Sequence, residues 1–259
     1  MYVIAVCNEK GGVAKTTTVV SLAASLAETG NKVLTIDLDS QANLSLALGL
    51  EPEKIRASLT KTFYEFQPIK DLVCETAVSR LNIIPSNSEM GAVERFLPIR
   101  KDYEYALRQA LMNISEDYDY VILDCPPFLG VLTLNAMVAS NLLIIPTQAE
   151  FFSIFALRTL MGWVRRVRVQ YNSGLLYRLL LTMYDRRNKS HRILSEQLHY
   201  TFNAGLMNTV IETDTKIRES SIVGLPIILY APKSRAALQY RALSQEIVTY
   251  AHETVVQSP

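Results

Sequence analysis

Residues 10–17 read Lys-Gly-Gly-Val-Ala-Lys-Thr-Thr, and their types and spacing suit one chemistry, the holding of a polyphosphate. Gly11 and Gly12 let the backbone wrap closely round an anion, and the amides that follow, at a helix N-terminus, favour negative charge. Lys15 supplies an ammonium and Thr16 a hydroxyl able to ligate Mg2+. A nucleoside triphosphate is the ligand this arrangement implies. Lys10 stands ahead of the glycines, starts on the far side of the loop from Lys15 and invites a second role. The pattern departs from G-x-x-x-x-G-K-[ST], because Glu9 and Ala14 stand where that motif has glycine.

Three acids follow strand-like runs: Asp37 and Asp39 after Val33–Ile36, and Asp124 after Tyr120–Leu123. In open α/β sheets the ligand crevice lies at the carboxyl ends of the strands, where the glycine loop also emerges. A carboxylate facing a phosphate there holds Mg2+, directly or through water, or orients an attacking water. Singly, such aspartates are as readily turn or cap residues. As a set they point to one site.

The elements that must position these groups are written in the apolar periodicity. Short apolar runs recur at Tyr2–Cys7, Val33–Ile36, Leu81–Ile84, Tyr120–Leu123, Leu142–Ile145 and Leu176–Met183. Between them, Val19, Leu22, Ala23 and Leu26 keep helical spacing, as do Leu157, Leu160, Met161, Val164 and Val167. Leu243, Ile247 and Tyr250 mark a final helix. The spacing predicts an α/β fold, a three-layer arrangement with a mostly parallel twisted sheet and helices on both faces. One domain over residues 1–259 is expected, with a helical excursion at 51–80 and a frayed tail at 254–259.

Composition narrows the classes. The 26 Lys and Arg against 25 Asp and Glu give no global basic field, so contact with nucleic acid must come from local clusters. No basic leader or membrane-length apolar run is found, and the three cysteines are widely spaced without a CxxC pair. A reduced cytoplasmic protein is the expectation, with Cys125 a small core residue.

Several motifs in order resemble the ParA/Soj branch of the ParA/MinD family of deviant Walker ATPases, over nearly the whole chain. The glycine loop resembles that family's signature P-loop, Asp37–Asn43 its DxDPQ(G/A)N segment and Tyr120–Pro127 its Walker B strand. Ile84–Asn87, Leu132–Ala136, Ile145–Glu150 and Pro226–Arg235 extend the match. The resemblance implies a P-loop NTPase fold and an ATP- and Mg2+-dependent homodimer with two nucleotides sandwiched face to face. Carried over residue by residue, Lys10 reaches the partner subunit's phosphates, and Gly11, Gly12, Val13 and Ala14 form the cradle. Lys15 contacts the β- and γ-phosphates, Thr16 ligates Mg2+ and Thr17 caps the α-phosphate side. Asp39 positions the hydrolytic water, with Asp37 and Asp124 holding the Mg2+ hydration shell. Three departures stand out: Ala14 for a glycine, Ser40 for the usual proline, and Glu212-Thr213-Asp214 where relatives carry Pro-Arg-Asn, a segment tied to adenine recognition.

The resemblance also implies slow hydrolysis until a ParB-like or small adaptor protein acts, nonspecific binding of double-stranded DNA by the ATP dimer, and a cytoplasmic, nucleoid-associated location. Basic groups suited to phosphate contact without base readout are Arg158 and Arg165, two helical turns apart, and the run around Arg186, Arg187 and Lys189. Arg187 and Lys216 stand at positions resembling the family's DNA contributors. With the glycine loop starting near residue 8, no operator-reading domain is expected ahead of it. A MinD-like membrane cycle is the nearest rival, but Gln245–Pro259 has no Lys or Arg for an amphipathic anchor, and no membrane partner is expected. A non-hydrolysing ATP switch is the other alternative, against which Lys15, Thr16, Asp39 and Asp124 argue. An iron–sulfur relative would need cysteine ligands that Cys74 and Cys125 do not match.

Overall fold

The computed structural model describes the backbone of residues 1–55 and 58–256, and their side chains except at 152–155 and 254–256. Its strands are β1 (Tyr2–Val6), β2 (Val33–Asp37), β3 (Cys74–Glu75), β4 (Leu81–Ile84), β5 (Tyr120–Asp124), β6 (Leu142–Thr147), β7 (Leu176–Tyr184) and β8 (Leu206–Glu212). They form one eight-stranded sheet in the order β3-β4-β2-β5-β1-β6-β7-β8. Every pairing is parallel except β3 with β4. The expected α/β class is therefore the observed one. The two strands that periodicity missed, β3 and β8, both lie at the sheet's edges.

Parallel strands buried on both faces read as near-continuous apolar runs, and alternation then sends neighbours to opposite layers. On β1, Val3 and Ala5 pack into one layer while Tyr2, Ile4 and Val6 pack into the other. The first layer is covered by α3 (Leu59–Glu65), α4 (Met90–Phe96), α5 (Ala106–Met112), α6 (Val131–Ala139), α7 (Phe151–Gln170) and α8 (Lys189–Phe202). The second is covered by α1 (Lys15–Glu28), α2 (Asn43–Ala47), α9 (Thr215–Val223), α10 (Ile227–Tyr230) and α11 (Arg235–Val256). Residues 52–72 hold α3 between two short 3-10 turns, Pro52–Lys54 and Ile69–Leu72. In the C-terminal segment expected to fray, α11 continues to Val256, and residues 257–259 lie outside the described residues.

Register fixes the business edge of the sheet. β5 pairs with both β1 and β2, so Asp124 stands beside Val6 on one side and Asp37 on the other. The chain leaves β1 through residues 7–14 and enters α1 directly above these carboxylates, in the crevice where strand order reverses. α1 is held by burial of Val19, Leu22, Ala23 and Leu26 against the sheet and α11, with Tyr240 wholly enclosed between them.

Leu22 is completely buried in that layer. Leu22→Ala should lower the free energy of unfolding by about 3 kcal/mol, the cost of lost transfer energy plus a cavity. An unmoved urea midpoint would contradict the packing of α1.

Candidate functional site

The glycine loop is shaped by two left-handed residues, Gly12 (φ 73°) and Ala14 (φ 65°). Glycine adopts that conformation without penalty, whereas Ala14 carries a strain of roughly 1 kcal/mol. Ala14 is the residue immediately before α1, and its carbonyl accepts from both Thr18 N–H (2.9 Å) and Thr18 Oγ1 (2.7 Å). Thr18 Oγ1 lies 3.5 Å from the buried Tyr240 hydroxyl. Thr182 on β7 donates its hydroxyl to Val13 O at 3.0 Å. The loop is thus held from α1, α11 and β7 at once.

Lys15 is nearly buried, and its ammonium donates to the Lys10 carbonyl at 3.3 Å across the loop. An ammonium has three donors, so the group keeps capacity for an anion seated in the loop. Thr16 donates its hydroxyl to Asp124 Oδ2 at 2.7 Å, which leaves the lone pairs of Thr16 Oγ1 for a cation. The other oxygen of Asp124, Oδ1, is buried and has no hydrogen-bond partner among the described residues. An unpartnered buried carboxylate oxygen is costly unless a cation or its water faces it.

Asp37 is fully buried yet richly bonded. Its Oδ2 accepts from Ser45 N–H (3.0 Å) and Ser45 Oγ (2.8 Å), and its Oδ1 from Asp39 N–H (3.1 Å). Asp39, half-buried, accepts from Gln41 N–H at 3.0 Å. Burial raises the Asp37 carboxyl to about 6, against the lowering effect of its Ser45 and Asp39 bonds. Burial, and then the Asp37 charge beside it, push Asp124 well above the ordinary carboxylate range. Two acids side by side at one sheet edge are unfavourable as a doubly charged pair, and a divalent cation reverses that. Among the described residues no group of three or more His, Cys, Asp or Glu converges on a metal. Mg2+ here would take the rest of its octahedron from phosphate oxygens and water.

Beside the loop lies a cavity of about 420 Å3, reached past Gly12, Ala14 and Thr17 and walled by Met183, Ile211, Ile217 and Ile222. Its rim carries Glu212-Thr213-Asp214, and each acid there is already engaged. Glu212, nearly buried, pairs with Arg186 and Arg235 at 3.0 Å each and accepts from Gln239 Nε2 at 3.0 Å. Asp214 caps α9 by accepting from Lys216 N–H (3.0 Å) and also accepts from Ala236 N–H (3.2 Å).

The structure brings Lys10, Gly11, Gly12, Val13, Ala14, Lys15, Thr16 and Thr17 together with Asp37, Asp39 and Asp124. Lys10 bonds within its own chain, to Glu150 (2.6 Å) and Gln148 (3.0 Å). The basic groups do not form one cluster. Arg186, Arg187, Lys189 and Lys216 follow the ends of β7 and β8, on the edge that holds the glycine loop. Arg165, by contrast, sits fourteen residues into α7, roughly 21 Å along its axis. Arg187 is bidentate on Asp185, which holds that carboxyl down at about 2, and Lys216 pairs with Glu219. Cys125 lies buried against Cys7, and that contact with burial pushes its thiol up, away from nucleophile or ligand chemistry. Sequence reasoning assigned no role to Ser45, Glu94 or Glu150. Glu150 lay within a quoted motif, while Ser45 and Glu94 carry no local signal because their partners lie in other elements.

Two outcomes follow from this geometry. Ala14→Gly should raise stability by about 0.5 kcal/mol, the relieved strain exceeding the added freedom of the unfolded chain; a lower urea midpoint would contradict a left-handed residue 14. The folded Asp37–Asp124 pair binds more protons than the unfolded chain between about pH 4 and 6, so its contribution to stability declines as pH rises through that window. Asp124→Asn should flatten this decline in metal-free chemical unfolding across pH. An identical slope would put the titration elsewhere.

A family model described as an AAA domain matches residues 1–177. The sporulation initiation inhibitor protein Soj of Bacillus subtilis is 37% identical over 246 residues, covering 95% of this chain and 97% of that one. The chromosome partitioning protein ParA of Myxococcus xanthus is 35% identical over 248 residues, covering 95% and 87%. Among solved structures, cobyrinic acid a,c-diamide synthase from Mycobacterium smegmatis with bound ATP analog and magnesium superposes with a TM-score of 0.87. It is 31% identical and covers 97% of this chain and 96% of that one. With the glycine loop, the paired carboxylates and these relatives in agreement, the chain belongs to the AAA-domain family and, within it, to the ParA/Soj-type ATPases.

Proposed function

We propose that the chain is a positioning ATPase that binds ATP with Mg2+, closes into a face-to-face homodimer, associates with duplex DNA without sequence preference, and hydrolyses ATP slowly until a ParB-like or small adaptor partner acts. The observation that carries this reading is the buried, unpartnered Asp124 Oδ1 beside Thr16 and Asp37 under a phosphate-shaped loop. The residues present fit the group. Lys15 and the amides of residues 11–17 would hold the phosphates, Thr16 the Mg2+, and Asp37 and Asp124 its water shell. Magnesium, when bound, supplies positive charge against the charge that builds up on the phosphates.

The chain's own groups do the positioning. Asp39 orients a water for attack on the γ-phosphorus in line with the departing ADP oxygen, its backbone fixed by the bond from its N–H to Asp37. The apolar slot between Met183 and Ile222 suits a flat base. Lys10 exchanges Glu150 and Gln148 for the partner subunit's phosphates, so dimerisation costs an ion pair in each chain and regains a charge-assisted contact. Hydrolysis is slow because this lysine is the one cation the phosphate motifs supply in trans.

Among the described residues no helix is long and apolar enough to cross a membrane. Basic groups at the ends of β7 and β8 share the edge of the nucleotide loop, so joining two such edges would combine two weak phosphate-binding patches into one. Random-sequence duplex DNA titrated with ATP, ADP or no nucleotide should bind with ATP only, and binding should weaken with salt. Lys15→Ala should abolish it, and Arg187→Glu should weaken it at least about tenfold while ATP turnover persists. Parent-like DNA binding by Arg187→Glu would remove this surface from the reading, and ATP-independent binding would remove the cycle.

A further inference from the structure

The loop that leaves Asp124, residues 125–130, leads into α6, and the residue at the α6 N-cap is Gly130, which has no side chain to cap it. The cap comes from another element. Glu94 on α4 accepts from Val131 N–H at 2.6 Å through Oε2 and from Leu132 N–H at 3.0 Å through Oε1. A carboxylate placed there meets two donors that have no partner inside the helix and the positive end of its dipole. Gly130 makes the approach possible, since a Cβ there would collide with Glu94 Oε2 and stand 2.7 Å from Phe128 Cε2. If holding α6 were the whole task, a Ser, Thr, Asn or Asp at 130 would do it locally. Here the position is kept small so that a second element can reach in.

The connection that leads into α4 reaches Asp37 through one side chain. Ser86, in the connection from β4 to α4, donates its amide to Ser45 Oγ at 3.0 Å, and Ser45 in turn donates its hydroxyl to Asp37 at 2.8 Å. On the first turn of α4, Gly91 faces Ser40, the residue after Asp39, so that a Cβ added at 91 would meet the Ser40 Cβ at 3.8 Å. The segment from Ser86 through α4 is therefore bonded to Ser45 on α2 at its start and to the first turn of α6 through Glu94. Between Cys125 and Gly130, Thr133 Oγ1 on Phe128 O (2.8 Å) is a further anchor of the second loop.

We propose that Glu94 is a positioning residue of the nucleotide site: its cap on α6 ties the loop of Asp124 to α4, and the connection that leads into α4 ties it through Ser86 and Ser45 to Asp37, so that the two carboxylate loops shift as one unit when phosphates and Mg2+ bind. Glu94 touches neither loop's carboxylate and acts through the backbone of residues 125–132. The inference rests on the nucleotide-binding reading given above.

Amide hydrogen exchange of the full chain, with and without Mg–ATP, tests it, with Glu94→Gln and Glu94→Ala as variants. In the parent, Mg–ATP should slow exchange at residues 38–46 and 125–134 together. In the variants ATP affinity and KM should stay within about threefold while kcat falls at least about tenfold, and the protection at 125–134 should be lost while that at 38–46 persists. A lower unfolding midpoint with parent-like ATP protection and parent-like kcat would mean an ordinary cap and overturn the proposal. A parent that does not respond to Mg–ATP overturns the nucleotide reading and this inference with it; a responding parent with an equally responding variant overturns this inference alone. Should Glu94→Ala fail to fold, Glu94→Gln and Gly130→Ala, whose new Cβ displaces the carboxylate, decide between the same results.

Discussion

The structure depends on a juxtaposition that parallel pairing makes unavoidable: β2 and β5 are in register, so Asp37 and Asp124 end side by side in a buried corner. Burial strips both carboxyls of water and pushes both upward, and the Asp37 charge pushes Asp124 further. The protein offsets part of that cost for Asp37 with three hydrogen bonds. For Asp124 the described residues supply one, from Thr16. This asymmetry would direct a cation toward Asp124 Oδ1 and the Thr16 oxygen, with Asp37 behind them. Stability given up at this corner is what a divalent ion with phosphates would restore on binding.

The glycine loop follows the same logic. Ala14 sits in a left-handed conformation that an L-residue dislikes, and the surroundings over-determine it through Thr18, Tyr240 and Thr182. The loop amides are thereby aimed before any anion arrives, which cuts the ordering cost of binding. Lys15 bridges the loop from beneath while Lys10 is drawn sideways to Glu150. The two lysines differ in role because their partners differ: one is fixed inside the cradle, the other is held by an exchangeable surface acid.

Much of this was legible from residue types alone. The central strands and the helices beside them announce themselves because each is buried on a full face, which forces a continuous apolar run or a clean helical stripe. The edge strand β3 is only two residues long, and β8 mixes Asn208 and Thr209 with apolar neighbours, so neither carries such a run. In the site, glycines, lysines and post-strand aspartates were visible because their chemistry is local to the motif. Ser45, Glu94 and Glu150 were not, since each acts across 8 to 140 positions of chain, through Asp37, α6 and Lys10, and their meaning exists only once the sheet is assembled. The basic residues show the opposite limit: Arg158 and Arg165 share a helical stripe, yet the stripe runs away from the nucleotide edge on which Arg186 and Arg187 lie.

The nucleotide edge has a further property that net charge hides. Lys10, Arg186, Arg187 and Lys216 each have a carboxylate of the same chain within salt-bridge distance, on Glu150, Glu212, Asp185 and Glu219. A polyanion approaching this edge must therefore compete for cations already taken. Exposed pairs such as Arg187 with Asp185 are screened by solvent and readily exchange partners. Arg186 differs, because Glu212 is nearly buried and would be left facing Arg235 and Gln239 alone. Since Glu212 also lines the cavity beside the glycine loop, releasing Arg186 and filling that cavity would act on the same carboxylate. A Pro-Arg-Asn segment at this place would have no carboxylate to share. In this chain the departure from the family pattern thus sets one side chain both on the rim of the cavity beside the glycine loop and against a cation of the basic edge.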